Sequence, residues 1–419
     1  MASTYLTRTP SAGNRKTFTW SAWVKRSAIS YQNLTGCFHS SSNYCNFQFA
    51  SDGLRVYDNG NVNVATNAKA MDVNGWYHFV FRIDTTQSTA SNRVRIYING
   101  VQQTSFASST YPSQNFDFYY NANNLHGIGA RSDGDSKFDG SMSHIHFCDG
   151  YSYDASSFGS TDATTGEWKI NTDPSVSYGT NGYWILKDGN TVTDSSPNSN
   201  NWTVNGTLTK TEDCPSNVFA TMNPLSAGSD VSFANGNTYV ENTVSTWNSS
   251  LGTIGVGNGK YYWEAMRISS AGECNLGVTL SSAYGGNHSQ VDAGRIVYSN
   301  NGYVYREGLS GQGNTNTGTS FTGGDIIGVA IDTENGTLKF YKNGTLVNTT
   351  TDNSFLYTNN EYIPQCGLYG GGRLRFNFGN GYFADNAVSS AGTNASNNGI
   401  FEYDVPTGYT ALSTRGLNL

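Results

Sequence analysis

Apolar and polar residues alternate with a period of two along much of this chain, in short runs that end at turn residues. Phe18-Thr19-Trp20-Ser21-Ala22-Trp23-Val24-Lys25 predicts a strand, and Trp76-Tyr77-His78-Phe79-Val80-Phe81-Arg82-Ile83 predicts another. The polar stretch Asp84 to Asn92 reads as a turn. It leads to a strand from Arg93 to Ile98, which closes at Asn99-Gly100, a dipeptide whose left-handed φ angles suit a tight hairpin. Gly140 to Asp149 reads as a further strand, with Ser143, Ile145 and Phe147 on one face and Met142, His144 and His146 on the other. A second series follows: Gly259 to Met266, Cys274 to Val278, Gly324 to Asp332, a turn at Asn335-Gly336, and Leu338 to Gly344. Between the two series, residues 151 to 240 hold short apolar pieces such as Gly182 to Leu186 and Asn201 to Val204, and no helical period is sustained. The pattern predicts an all-β chain of two antiparallel β-sandwiches in tandem.

Length supports that count, since 419 residues exceed one ordinary hydrophobic core. Composition adds a low-charge surface: 13% of residues are charged, against about 25% in ordinary domains. Asparagine, serine, threonine and glycine abound, yet 27 tyrosines, 21 phenylalanines and 8 tryptophans supply ample surface to bury, so the chain folds. The net charge of −7 arises from 24 basic and 31 acidic residues without long runs, which argues against nucleic acid as a partner. The start, Met1 to Arg8, has no apolar leader, and no apolar run is long enough for a membrane helix, so neither Sec export nor membrane insertion is expected. The six cysteines form no C-x-x-C pair; free, mostly buried thiols are expected, with Cys37 and Cys45 the one pair to check for a bridge.

Three sets of phrases carry resemblances. Trp20-Ser21-Ala22-Trp23-Val24, Gly75-Trp76-Tyr77-His78, Arg95-Ile96-Tyr97-Ile98-Asn99-Gly100-Val101 and Phe138-Asp139-Gly140-Ser141-Met142 resemble a laminin-G or concanavalin A-like lectin domain over residues 15 to 150. That family implies a jelly-roll sandwich, a fold shared by lectins, adhesion modules and glycosidases. Gly259 to Met266, Gly324 to Asp332, Leu338 to Gly344, Tyr362-Ile363-Pro364 and Arg375 to Gly379 resemble the SPRY domain over residues 240 to 383, which implies partner binding through loops. The start, Tyr5 to Lys16, and the ending, Tyr403 to Leu412, resemble structural proteins of marine tailed bacteriophages. The expected division is residues 1–150 for the first sandwich, 151–239 for connecting strands that partly complete it, 240–385 for the SPRY-like sandwich and 386–419 for a C-terminal segment.

For a sugar site, stacked rings beside amides are the pattern sought, and Tyr111, Phe116, Phe118, Tyr119, Tyr120, Asn121, Asn123 and Asn124 form the densest such stretch. In the second sandwich, Tyr284, Asn287, Tyr303, Tyr305 and Arg306 are the candidate contact residues. Asp133, Asp135 and Asp139 offer hard oxygens to calcium, the one cofactor considered, although aspartate-glycine turns abound in β proteins. His144 and His146 are half a transition-metal site at most. No clustered pair of carboxylates suggests a glycosidase. The resulting expectation is a non-enzymatic structural or adhesion protein of a virion, a tail fibre or capsid decoration. It would meet other virion proteins and host cell-surface polysaccharide, and take its oligomeric state from the particle. The alternatives are an intracellular SPRY-type adaptor that grips a peptide and, more remotely, a glycoside hydrolase.

Overall fold

A computed structural model describes residues 4–50, 53–187, 191–281, 294–307, 313–351 and 360–418. Among these residues there is no α-helix, only strands, turns and brief 3-10 pieces. The chain divides into two compact units, residues 1–210 with 214–216, and residues 211–213 with 217–419.

In the first unit an eight-stranded antiparallel sheet runs, in spatial order, Phe106–Thr110, Val62–Lys69, Gly53–Asp58, Asn43–Ala50, Gln32–Ser40, His126–Ile128, Tyr5–Arg8 and Thr203–Asn205. A six-stranded sheet faces it, in the order Tyr183–Ile185, Gly140–Asp149, Thr17–Arg26, Trp76–Asp84, Val94–Ile98 and Val101–Gln102. Alternate residues of both sheets meet in a ring-rich core: Trp20 lies 5.9 Å from Phe81, and Phe47 5.0 Å from Phe81. Each such ring contributes roughly 1.5–3 kcal/mol by leaving water.

The connecting segment has a definite task. Ala155, Phe158 and Tyr178 of this segment, with Trp184 of the edge strand, pack on Val80, Tyr97 and Cys148 over the outer face of the six-stranded sheet. This is why Phe18 to Arg26 is buried on both faces although its sequence alternates. Residues 151–210 therefore complete the first unit, whereas Met222–Ala227 already belongs to the second, so the stretch 151–239 is divided between the two.

Two local features refine the expected strands. Asn99 and Gly100 have φ of +47° and +81°, the geometry of a tight hairpin turn. A Cβ on Gly100 would stand 2.4 Å from the Trp168 ring. Gly100→Ala is expected to cost about 2 kcal/mol, from the left-handed backbone and the displaced indole together, read as a lower unfolding temperature of the first unit. The strand Gly140–Asp149 has the expected limits, but its faces do not alternate throughout. A β-bulge lies between Ser143 and His146, with His144 at φ +47°. The extra residue turns Met142 to the same core as Ile145 and Phe147, and leaves His146 opposite, against Trp184.

The second unit is also a sandwich. One sheet runs Met222–Ala227, Asn248–Gly252, Tyr362–Tyr369, Glu273–Leu280, Arg295–Ser299, Tyr303–Glu307 and Thr315–Asn316. The other runs Val231–Ala234, Tyr239–Asn242, Gly372–Asn377, Lys260–Arg267, Ile326–Asp332, Thr337–Lys342 and Thr345–Thr351. The C-terminal segment is built into this fold: Thr410–Ala411 pairs in parallel with Tyr261 and Tyr262, and Phe401, Tyr409 and Leu412 enter the core. Glu264, fully buried on the central strand, accepts the backbone N–H groups of Glu402 and Tyr403 at 2.9 Å each and the Tyr262 hydroxyl at 3.1 Å.

Candidate functional site

The aromatic-amide stretch is mostly interior. Phe118 and Tyr120 are sealed in the core, with Phe18 5.7 Å from each ring, so neither is available to a ligand. Asn121 is buried too, in a hub that ties three loops together. Its Nδ2 donates to Asp149 Oδ1 at 2.6 Å and to the Asn14 carbonyl at 3.0 Å. Asp149 also accepts the backbone N–H groups of Asn14 at 2.8 Å and Asn181 at 3.0 Å. The cause is the fold: this stretch crosses the mouth of the sandwich, so its rings close the core. Tyr111 and Phe116 are half-buried against that core, and Asn124 is half-buried with its carbonyl near His126 Nδ1 at 2.7 Å. Tyr119 is half-buried, its hydroxyl donating to Asn43, while Asn123 is exposed.

The acidic loop is arranged for an internal cation. Arg131 sits 2.7 Å from Asp133 and 3.2 Å from Asp135, and its guanidinium is held further above its ordinary pKa by Asp133. Asp139 lies apart, and burial raises its pKa. Among the described residues no three histidine, cysteine or acidic side chains gather as a metal site, so the calcium expectation is not matched by this geometry. His146 is buried against Tyr178 and Trp184, away from metal ligands. Cys37 and Cys45 stand opposite each other on neighbouring strands as free thiols, and burial pushes Cys37 up to about 12.

In the second unit Tyr303 and Tyr305 stack at 6.0 Å on an outer sheet face, and Asn301 donates to the Tyr305 hydroxyl at 2.7 Å. Arg306 points the other way and donates to Thr350 at 3.2 Å, so the expected trio does not act together. Tyr284 and Asn287 lie outside the described residues.

The surface with the chemistry sought was not singled out in the sequence. Cys45, Phe47, Phe49, Leu54 and Val56 point into the first unit's core, which sends Tyr44, Asn46, Gln48, Arg55 and Tyr57 to the outer face of the eight-stranded sheet. No hydrophobic cluster covers that face among the described residues. Tyr44 and Tyr57 stack at 5.5 Å, and Phe38 lies 6.3 Å from Tyr44. Their hydrogen bond raises the Tyr44 phenol pKa. Arg131 lies over Phe38 at 4.4 Å, and Arg55 over Tyr57 at 4.8 Å. Tyr31, 48% exposed, stands at the edge with its ring 5.8 Å from Arg55. The Gln48 amide turns its nitrogen to Asn33 Oδ1 at 3.0 Å and its oxygen to Arg55 Nε at 2.7 Å. Rings and a guanidinium thus share one sheet face above the buried Asn46 and Gln48 amides, a surface suited to apolar contact with sugar rings and to bonding their hydroxyls through phenols and a guanidinium. The available signal was Tyr44-x-Asn46-x-Gln48 beside Arg55-x-Tyr57, large polar or aromatic residues at the outward positions.

Groups that resemble catalytic parts are sealed. Ser21 Oγ is 2.8 Å from His78 Nε2, but the Trp168 indole N–H donates to His78 Nδ1 at 3.1 Å. The ring proton is therefore on Nε2, so His78 donates to Ser21 and cannot take its proton. Burial lowers the His78 pKa to about 3. Asp58 is raised to about 6 and Glu264 to about 7, in both cases by burial, and neither side chain reaches solvent.

Comparison with solved structures finds the SPRY domain of human HERC1 at 22% identity, covering 37% of this chain and 96% of that one, with a TM-score of 0.30. Stonustoxin matches at 19% identity over 39% of this chain and 27% of its own, TM-score 0.29. The TRIM65 PSpry domain matches at 16% identity over 38% and 88%, TM-score 0.27. No curated protein matches the chain. Residues 2–155 match the family model of the concanavalin A-like lectin/glucanases superfamily, and residues 260–381 match that of the SPRY domain. The chain thus carries a concanavalin A-like domain and a SPRY domain in tandem, both β-sandwiches of kinds that imply binding or adhesion.

Proposed function

We propose that this chain is a non-enzymatic adhesion protein whose first unit binds cell-surface polysaccharide on the outer face of its eight-stranded sheet. The observation that carries this reading is the track of Tyr31, Phe38, Tyr44 and Tyr57, held beside Arg55 over buried Asn46 and Gln48, on a face with no hydrophobic cover among the described residues. Shallow sites of this kind bury little area per copy, so useful attachment needs many copies. Display on a virion supplies them, and it is the setting suggested by the resemblance of Tyr5 to Lys16 and Tyr403 to Leu412 to phage structural proteins.

Retention on immobilised polysaccharides tests the reading. Tyr57→Ala and Tyr44→Ala are each expected to weaken binding about fivefold while the first unit's unfolding temperature stays close to that of the parent. Equal retention of parent and variants, or shortened sugar chains after incubation, would overturn it. The rival, a peptide-gripping adaptor, has the exposed Tyr303–Tyr305 stack in its favour. On the adhesion reading, alanine at both positions leaves polysaccharide retention unchanged.

A further inference from the structure

Building on that reading of the sheet face, we infer that the sugar it takes is acidic and that Arg55 pairs with the sugar carboxylate. Arg55 has cross-strand neighbours Gln48 and Ala65, both neutral, and no carboxylate lies within ion-pairing distance of it among the described residues. Its Nε and Nη2 both donate to the Gln48 amide oxygen, the former at 2.7 Å, and its Nη2 also donates to the Tyr31 hydroxyl at 3.3 Å. Nη1 has no acceptor among the described residues and the side chain is only part-buried, so Nη1 is the donor left for a ligand. Nη1 can give a carboxylate a charge-assisted hydrogen bond while Gln48 and Tyr31 hold the rest of the guanidinium in place.

The neighbouring cation behaves differently. Arg131 is saturated by Asp133 and Asp135, which leaves Arg55 the uncompensated charge of the track. With Lys137 beside Tyr5, the face presents three cations against two carboxylates in a chain whose total charge is −7. The rings fix the spacing: a sugar resting against the edge of Tyr57, whose face carries the same guanidinium, has its substituents within reach of Arg55.

The test compares polygalacturonate and alginate with their fully methyl-esterified forms, which keep the sugar chain and remove the charge. The parent is expected to bind one acidic polymer about tenfold more tightly than its ester, a preference that falls with added salt. Arg55→Gln should abolish the preference while retaining binding to the ester, and Arg55→Lys should keep part of it, since an ammonium preserves the charge but loses the Gln48 and Tyr31 bonds that fix its position. Equal affinity for acid and ester would overturn the role of Arg55 and leave the sheet-face reading standing. Failure to bind acidic, esterified and neutral polysaccharides alike would overturn both.

Discussion

Asp149→Ala should unfold the first unit about 10 °C earlier than the parent, with the second unit's transition unmoved. The carboxylate accepts two backbone N–H groups and the Asn121 amide inside the loop hub at the mouth of the sandwich. Alanine leaves the Asn181 N–H and one Asn121 amide proton buried without an acceptor, while the part-buried Asn14 N–H turns to water. Each unsatisfied buried donor costs roughly 1–3 kcal/mol, so a total near 4 kcal/mol is expected even after local relaxation. Asp149→Asn should fall between the two, because its amide nitrogen would face a donor. Calorimetry that resolves both transitions decides the matter, and an unchanged first transition would show that the hub is dispensable.

The second large effect is a pH dependence located in the second unit. Burial disfavours the ionised form of Glu264, and the three donors facing it only partly offset this, so the folded state keeps the proton up to about pH 7 while the ordinary value is 4.5. Its contribution to stability is therefore fully present below pH 4.5 and is lost as pH rises through about 7, for a total of about 3 kcal/mol. Asp325 is held below the ordinary aspartate value by its hydrogen bonds and Lys342, so it acts at lower pH and does not mask the effect. Urea unfolding of the second unit at pH 4.5 and pH 8 should give a lower midpoint at pH 8, and Glu264→Gln should remove most of that difference. An equal slope in the variant would assign the dependence to another group.

The strands were legible where alternation and turn dipeptides coincide. Gly140–Asp149 has the expected ends, and Asn99-Gly100 and Asn343-Gly344 both adopt left-handed φ angles. The faces were less legible. A bulge at His144 reverses the alternation, and a histidine there carries no local signal of it. Rings in irregular segments were harder still: Tyr119 and Tyr120 are neighbours of equal hydrophobicity, yet one reaches Asn43 and the other fills the core. The sheet-face track depends on register, because only the pairing of Asn46 with Tyr57 and Gln48 with Arg55 brings its residues together. Pairing between strands is non-local, and no single window of sequence contains it.

The clasp on Glu264 also bears on how such a domain can travel between proteins. The match to the SPRY family ends at residue 381, but the donors that satisfy this carboxylate come from Glu402 and Tyr403, and core rings come from Phe401 and Tyr409. A gene fusion that moved only the family-defined segment would transplant a buried acid stripped of its two backbone donors and a core open on one side. The heritable module is therefore longer than the motif by which it is identified, and reaches at least to Leu412.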